Sequence, residues 1–242
     1  MQVVQVRDLT FAYRDGKTVL NKISFSVSAG EILVIAGLSG CGKTTLCHLL
    51  SGIIPHAVQG DISGEINILG FNPQETPLAQ NATRVGLVFQ DADSQIICTT
   101  VEDEVAFGME NLCYPPEEIN ERVTVLLEEF GFSHQRLTNP AQLSGGRKKL
   151  LTIAGVLALS PALLIMDEPL SSLDSTGRDL VRSAIEDQRR QGRTIILVEH
   201  DLNLVTFADR WLLLHEGGIA LLDTPAQVNQ QPELLEKLGL ML

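Results

Sequence analysis

Residues 37–45 read Gly-Leu-Ser-Gly-Cys-Gly-Lys-Thr-Thr and match the Walker A spacing. An apolar run, EILVIA, precedes this stretch at 31–36 and has the composition of a buried parallel strand. Residues 44–50 are predicted to form a helix, which ends at Gly52. Because a strand, a glycine-rich turn and a helix form the context of a phosphate-binding loop, the sequence predicts such a loop here.

The chemistry of this loop follows from its residue types. Glycines let the backbone curl so that successive N–H groups point at anionic oxygens, and the helix N-terminus places roughly half a positive charge behind them. A lysine in this motif reaches the β- and γ-phosphates of a nucleotide, and the following hydroxyl ligates magnesium. The predicted phosphate-binding residues are therefore Gly37, Ser39, Gly40, Cys41, Gly42, Lys43, Thr44 and Thr45.

Length and composition fit one large α/β domain with an ordinary core. The chain has 242 residues, 44% hydrophobic and 20% charged, with a formal net charge of −12. The single basic cluster is at 147–149, so we expect no nucleic-acid partner. No apolar run approaches the roughly 20 residues that span a bilayer, and no export signal is visible. We therefore expect a soluble chain whose membrane role requires a partner.

The four cysteines contain no Cys-x-x-Cys pair. We expect free thiols in a reducing cytosol rather than a metal site.

Periodicity divides the chain into strand-rich and helix-rich parts. Alternation over 2–28, with Asp15-Gly16 between two runs, predicts paired antiparallel strands, and 64–69 is expected to join them. Helical spacing then predicts three successive helices at 101–111, 117–130 and 143–159. These helices predict an all-α insert at roughly 91–160, inside a single domain whose remaining parts are 1–90 and 161–242.

Short apolar strands alternate with helices in the rest of the chain, which predicts a mostly parallel sheet. Strands are expected at 84–89, 162–166 and 194–198, an amphipathic helix at 174–191 and a hairpin at 211–222. Thr224-Pro225 is expected to cap and start the last helix.

An acidic pair, Asp167-Glu168, follows the apolar strand at 162–166 in a Walker B pattern. An acid at a strand end beside a phosphate loop can hold magnesium, and a second acid can polarise a water for in-line attack on a γ-phosphate. Such acidic pairs are also common at solvated strand ends. The interpretation of this pair as a Walker B motif therefore depends on the Walker A stretch upstream. Tyr13 lies at the end of the first strand and has two interpretations. It is either a half-buried aromatic of the strand or a flat ring on which a purine base stacks.

Residues 143–146, Leu-Ser-Gly-Gly, resemble the signature motif of ATP-binding-cassette (ABC) ATPases. The other family motifs follow in order: Tyr13 as the adenine-stacking aromatic, Gln90 as the Q-loop glutamine, 171–174 as the D-loop and His200 as the switch histidine. The resemblance covers essentially the whole chain. It implies an α/β P-loop NTPase fold with a RecA-like parallel-sheet core, an N-terminal antiparallel β subdomain and an inserted α-helical signature subdomain.

The resemblance also implies an ATPase with ATP and Mg²⁺ as cofactors. Glu168 is the expected general base, and His200 is expected to contact the γ-phosphate and position the water. The expected catalytic residues are thus Glu168, His200 and Gln90, and the expected metal ligands are Thr44, Gln90 and Asp167.

A dimer follows from the same resemblance. Ser144, Gly145 and Gly146 open a helix and so offer an anion site, which in the family addresses the γ-phosphate held by a second protomer. Asp174 is expected to couple the two sites. Two ATP molecules would then lie between two protomers, and the sequence leaves a homodimer and a heterodimer open.

Residues 88–112, VFQDADSQIICTTVEDEVAFGMENL, are similar to the ATPases of energy-coupling-factor (ECF) importers of vitamins and transition-metal ions. Residues 54–56 and 63–65 resemble the same group. Family members dock a membrane subunit on this segment, so a transmembrane partner is expected near 90–112. The chain is accordingly expected at the cytoplasmic face of the cell membrane.

Two departures from the family pattern stand out. Arg147 occupies the position of a usual glutamine, and its guanidinium would either reach a γ-phosphate across the dimer interface or crowd that interface. We expect crowding, which favours pairing with a different ATPase. The chain also ends soon after its last predicted helix, which leaves open that it is one half of a tandem ATPase.

Three functions other than an importer ATPase would each predict different sequence features. A soluble ABC ATPase of DNA repair or translation would carry a long coiled coil or a second cassette. A P-loop kinase would need neither 143–146 nor His200. The ATPase of an ABC exporter or lipoprotein-releasing system is separated only by the weaker resemblance at 88–112.

Overall fold

Two β-sheets organise residues 1–240, the part of the chain that the computed structural model describes. In chain order the strands are β1 (Gln2–Tyr13), β2 (Thr18–Ser28), β3 (Ile32–Ala36), β4 (Gly60–Ile68), β5 (Val85–Val88), β6 (Leu163–Asp167), β7 (Thr194–Val198), β8 (Arg210–His215) and β9 (Gly218–Asp223). The α-helices are α1 (Lys43–Ser51), α2 (Ile53–His56), α3 (Leu78–Ala82), α4 (Ala92–Gln95), α5 (Val101–Asn111), α6 (Pro116–Glu129), α7 (Gly145–Leu157), α8 (Ser175–Arg190), α9 (Pro225–Val228) and α10 (Pro232–Lys237).

The smaller sheet is antiparallel, in the order β2-β1-β4. Its strands alternate buried and exposed residues, because one face packs on the core and the other faces solvent. The predicted hairpin at 2–28 is confirmed, and the predicted third strand pairs with β1 but begins at Gly60 rather than at Gly64.

The larger sheet has the order β5-β6-β7-β3-β8-β9, and its first five strands are parallel. Every residue of β3, β6 and β7 is buried, as expected for strands covered by helices on both faces. The predicted parallel sheet and the hairpin that ends it are confirmed. In register, Val198 of β7 pairs with Ile35 of β3 and with Asp167 of β6, so these strands end at one edge.

Helices α4 to α7 follow one another between β5 and β6. The three long ones are confirmed: α5 starts at the predicted residue, α6 starts one residue earlier and α7 two residues later. Thr100 caps α5, Pro116 occupies the first turn of α6 and Ser144 caps α7. The short helices α2, α3 and α4 were not predicted. We propose that α4 to α7 form the helical subdomain at 91–160, with the remainder forming the core and the β subdomain.

The end of the chain differs from the expected single helix. Thr224 does cap a helix, accepting a hydrogen bond from the Gln227 N–H, but α9 ends at Val228 and a separate helix, α10, begins at Pro232. Proline lacks an N–H and its ring clashes with the preceding turn, so a continuous helix could not pass through this position.

The Arg147 side chain turns back onto the helices. Its guanidinium donates to the carbonyls of Phe130 (3.2 Å) and Gly131 (2.7 Å) and to Oε1 of Gln135 (2.6 Å). It also lies 3.9 Å from the ring centroid of Phe132. Both alternatives raised from the sequence placed this group at a dimer interface, whereas here it ties α7 to the loop after α6.

Replacing Arg147 with glutamine should therefore lower thermal stability. Glutamine cannot reach three acceptors or cover the Phe132 ring, and such charge-assisted and cation–π contacts are together worth about 1–3 kcal/mol. Calorimetry should show a melting temperature lower by roughly 2–12 °C for a chain of this size. Arg190→Gln is the control, because Arg190 is 70% exposed and pairs only at the surface. Equal melting temperatures for the two variants would contradict a tethering role.

Candidate active site

The predicted phosphate loop joins the end of β3 to the start of α1. Lys43 is 6% exposed, and its Nζ donates to the carbonyl oxygens of Gly37 (2.7 Å) and Leu38 (3.1 Å). Backbone carbonyls of the loop itself thus hold the ammonium group, so its positive charge lies next to residues 37 and 38. Anionic oxygens entering the loop would meet this charge together with the N-terminus of α1.

Glycine is required at two points of the loop. Gly40 and Gly42 have φ angles of +83° and +108°, in the left-handed region that side chains disfavour. A Cβ on Gly42 would also lie 2.7 Å from Cδ2 of Leu20 on β2. The loop therefore packs directly against the smaller sheet.

Thr44 and Asp167 meet at the carboxyl edge of the sheet. The Thr44 hydroxyl donates to Oδ2 of Asp167 at 2.8 Å. Burial raises the pKa of Asp167, the Thr44 hydrogen bond opposes this rise, and the charge of Glu168 adds to it. Two of the three predicted metal ligands are thus brought together.

Glu168 lies next to Asp167 and contacts the other two predicted catalytic residues. Its Oε2 accepts a hydrogen bond from Nε2 of Gln90 at 2.7 Å and lies 3.8 Å from Nδ1 of His200. The backbone of Glu168 has a φ of +45°, and its N–H donates to the carbonyl of Val198 at 2.9 Å. A non-glycine residue in this region is strained and persists only where its surroundings hold it, which is typical of functional positions.

Tyr13 ends β1 and lies beside α1. Its ring is half-buried, packs edge-to-face on Phe11 with centroids 4.8 Å apart, and shares a hydrogen bond of 2.9 Å between its hydroxyl and Oγ1 of Thr45. The half-buried strand position expected from the sequence is therefore present. Base stacking on this ring stays a prediction.

A cleft of about 540 Å³ connects these groups. It is lined by the phosphate loop, Tyr13, Gln90 and Glu168, and on the hairpin side by Asp15 and Lys17. Its volume is in the range of small-molecule sites. Asp15 and Lys17 were not among the predicted site residues, although their place in the turn after Tyr13 was a signal for them.

The predicted signature and D-loop residues do not line this cleft. Ser144 Oγ caps α7 by accepting from the Arg147 N–H (3.4 Å), and Asp174 caps α8 by accepting from the Gly177 N–H (2.7 Å). A Cβ on Gly146 would lie 2.7 Å from Cα of Gly177, so the two helices begin in direct contact. Two helix N-termini, each with a partial positive charge, therefore open side by side.

Two lysines after the signature motif hold the segment that contains Gln90. Lys149 is 3% exposed and donates to the carbonyls of Phe89 (2.9 Å) and Gln90 (2.7 Å), while Lys148 pairs with Asp93 at 2.6 Å. These contacts were not predicted from the sequence. The only signal was a lysine on the apolar side of a helix, where a buried cation needs nearby acceptors.

The comparisons with known proteins concern the family and the overall fold. The family described as ABC transporter matches residues 20–171. A putative ABC transporter ATP-binding protein of Methanosarcina mazei is 41% identical over 98% of the chain, and one of Pyrococcus abyssi is 39% identical over all of it. The chain spans 42% of the first relative's length and 88% of the second's.

Two further similarities concern better described proteins. The energy-coupling factor transporter ATP-binding protein EcfA of Methanocaldococcus jannaschii is 37% identical over the whole chain, which covers 86% of that protein. The solved structure of cbiO1 from Clostridium perfringens, part of the ABC transporter complex cbiONQ, has a TM-score of 0.86 and 31% identity, covering 100% of this chain and 96% of that one. The predicted ABC ATPase fold is thereby confirmed, and the chain belongs to the ABC transporter family.

Proposed function

We propose that this chain binds ATP with Mg²⁺ and hydrolyses it to power a membrane importer of the ECF type. The observation that supports this most is the contact of Glu168 with both Gln90 and His200, beside the Thr44–Asp167 pair. An ATPase needs a base, a group that positions water and oxygen ligands for a metal at one end of a phosphate loop. Glu168, Gln90 and Thr44 line the cleft, and His200 and Asp167 lie directly beside them through their contacts with Glu168 and Thr44.

Phosphate binding rests on the loop and Lys43. The triphosphate would accept hydrogen bonds from backbone N–H groups at the start of α1, and Lys43 would exchange its bonds to the Gly37 and Leu38 carbonyls for phosphate oxygens. Tyr13 would stack on the base at the opposite end.

The donor set fits magnesium. The Thr44 hydroxyl, the Asp167 carboxylate and the Gln90 side-chain carbonyl are hard oxygen ligands, which Mg²⁺ prefers. When bound with the nucleotide, the ion neutralises charge on the β- and γ-phosphates.

Hydrolysis would proceed by in-line attack. Glu168 accepts a proton from water as the water oxygen bonds to the γ-phosphorus, and the bond to the β,γ-bridging oxygen breaks with its electron pair leaving on ADP. His200, beside the same carboxylate, would position the water and the γ-phosphate. Gln90 would hold Oε2 of Glu168 in place before the nucleotide arrives.

Two protomers would complete each site. Ser144, Gly145 and Gly146 lie outside the cleft of their own chain, yet they open a helix beside the N-terminus of α8. Such an anion-binding edge suits the γ-phosphate of a partner's ATP. Asp174, which caps α8, would then lie at the interface.

The membrane partner is proposed to dock beside β5 and α5. No helix within residues 1–240 is long and apolar enough to cross a bilayer. Three apolar side chains between 89 and 107 are nonetheless exposed, namely Phe89 (37%), Ile97 (60%) and Phe107 (39%). Phe89 also lines an apolar groove of about 250 Å³. The relatives named EcfA and cbiO1 support an ECF-type partner.

Polar residues of this segment serve the chain itself. Gln95 accepts from the Phe89 N–H (2.9 Å), and Glu102 pairs with Arg136 (2.8 Å). Exposed apolar side chains are therefore cleaner probes of docking than these residues.

Lys43→Ala should weaken ATP binding. One charge-assisted phosphate contact is worth about 1.5–3 kcal/mol, or roughly tenfold to over a hundredfold in affinity. Titration with a fluorescent ATP analogue would measure the change, with Lys237→Ala, an exposed lysine of α10, as the control. Unchanged affinity in the Lys43 variant would refute the phosphate site.

Glu168→Gln should bind ATP but hardly hydrolyse it, because an amide cannot accept the proton of the attacking water. Phosphate release should fall by about 100-fold or more, within the range for a lost general base. ATP should then accumulate a dimer, visible by size exclusion. Glu121→Gln, on the exposed face of α6, is the matched control. Normal turnover in the Glu168 variant would remove this residue from the base role.

Ile97→Glu should weaken docking without changing ATP affinity. A charge placed in an apolar contact is costly, so fewer membrane-spanning subunits should co-purify with a tagged chain from detergent extracts. Mass spectrometry would identify and quantify them. Val125→Glu, at a residue 55% exposed on α6, is the control. Equal recovery with both variants would place the docking site elsewhere.

A further inference from the structure

Glu199 is a buried carboxylate that no predicted role uses. It follows the last residue of β7 and precedes His200, and its exposed fraction is 0%. Its N–H donates to the carbonyl of Ile35 at 3.2 Å, which continues the pairing of β7 with β3. The backbone of Glu199 is therefore fixed by the central sheet.

The carboxylate has one clear partner. Oε1 accepts a hydrogen bond from the N–H of Leu170 at 2.8 Å, while Oε2 has no partner within residues 1–240. Burial raises the pKa of Glu199 to about 7, and the charges of Glu168 and Asp201 add to the rise, which Leu170 and Lys149 oppose. A buried carboxylate with so little compensation is costly for stability.

Leu170 belongs to the turn that carries Glu168. The strained backbone of Glu168 continues through Pro169 to Leu170, and the Glu168 carbonyl accepts from the N–H (3.3 Å) and the hydroxyl (3.0 Å) of Ser171. These bonds close the turn from within, whereas Glu199 holds it from the sheet. A backbone in the left-handed region needs such outside constraints to persist.

We propose that Glu199 is a positioning residue for ATP hydrolysis. By holding the Leu170 N–H, it fixes the turn that directs the Glu168 carboxylate at the attacking water. The same side chain links the strand end that carries His200 to the segment that carries Glu168, so both groups keep one spacing. The inference rests on the proposed role of Glu168 as the base.

Two substitutions distinguish the length of the Glu199 side chain from its negative charge. Glu199→Gln loses the charge but keeps an oxygen at the same distance for the Leu170 N–H. Glu199→Asp keeps the charge but is one methylene shorter, so its carboxylate cannot reach that N–H from the fixed backbone. If the hydrogen bond matters, the glutamine variant is rescued and the aspartate variant is not.

The experiment measures steady-state ATP hydrolysis and ATP affinity of the purified chain. For Glu199→Asp we expect a kcat lower by about 10- to 100-fold, the effect of slightly misplacing a reacting group, with KM and ATP affinity within about twofold. For Glu199→Gln we expect a kcat within about threefold of the unsubstituted chain. Glu121→Asp, at an exposed glutamate, controls for the shortening itself. Retained ATP affinity shows that each variant is folded.

The reverse pattern would overturn the proposal. A large loss in Glu199→Gln with an active Glu199→Asp would show that the charge or proton of Glu199 acts, rather than its reach. Equal activity of both variants would show that hydrolysis does not need the hydrogen bond to Leu170. Equal loss in both variants would show that this hydrogen bond alone does not account for the role of Glu199, and would also overturn the proposal. Glu168→Gln is measured in parallel, so that failure of the proposed function itself, seen as normal turnover in that variant, is told apart from failure of this inference.

Discussion

The pairing of β7 with both β3 and β6 is the constraint on which the rest of the structure depends. Because all three strands are parallel, their carboxyl ends lie at one edge, and Val198 stands between Ile35 and Asp167. The phosphate loop, the acidic pair and the segment with His200 each begin where one of these strands ends. A shift in the register of β7 would therefore move the His200 segment relative to the phosphate loop and to the acidic pair, because β7 lies between the strands that carry them.

Polar contacts then join the helices α4 to α7 to this edge. Lys149 reaches from α7 to the carbonyls of Phe89 and Gln90, and Gln90 in turn donates to Glu168. A line of hydrogen-bonded residues therefore runs from α7, which Ser144 caps, to the acidic pair. Movement of α7 relative to the sheet would be transmitted to Gln90 through a buried cation rather than through loose packing.

Sequence and structure agree at most places where a local pattern fixes the outcome, and the break before Pro232 is an exception. The glycine spacing of 37–42, the apolar runs of β3, β6 and β7 and the helix opening at Ser144 act within a few residues, so they can be read directly. The direction of the Arg147 side chain could not be predicted, because its acceptors and Phe132 lie 12–17 residues away. The hydrogen bond between Glu199 and the Leu170 N–H could not be predicted for the same reason. The two residues are 29 positions apart in sequence, and the pairing of the strands in the sheet brings them together.

The hydrogen bond between Tyr13 and Thr45 has a consequence for how this protein can vary. It joins the end of β1 to α1 directly, and the pairing of β1 with β2 and β4 supports the same strand from both sides. The distance between the tyrosine ring and the phosphate loop is therefore set by this bond and by the strand pairing. The turn adds two backbone bonds: the Tyr13 N–H donates to the carbonyl of Lys17, and the Gly16 N–H donates to the carbonyl of Tyr13. Side-chain replacements at Asp15 and Lys17, introduced by evolution or by engineering, would therefore change the lining of the cleft while the Tyr13–Thr45 bond keeps its length the same.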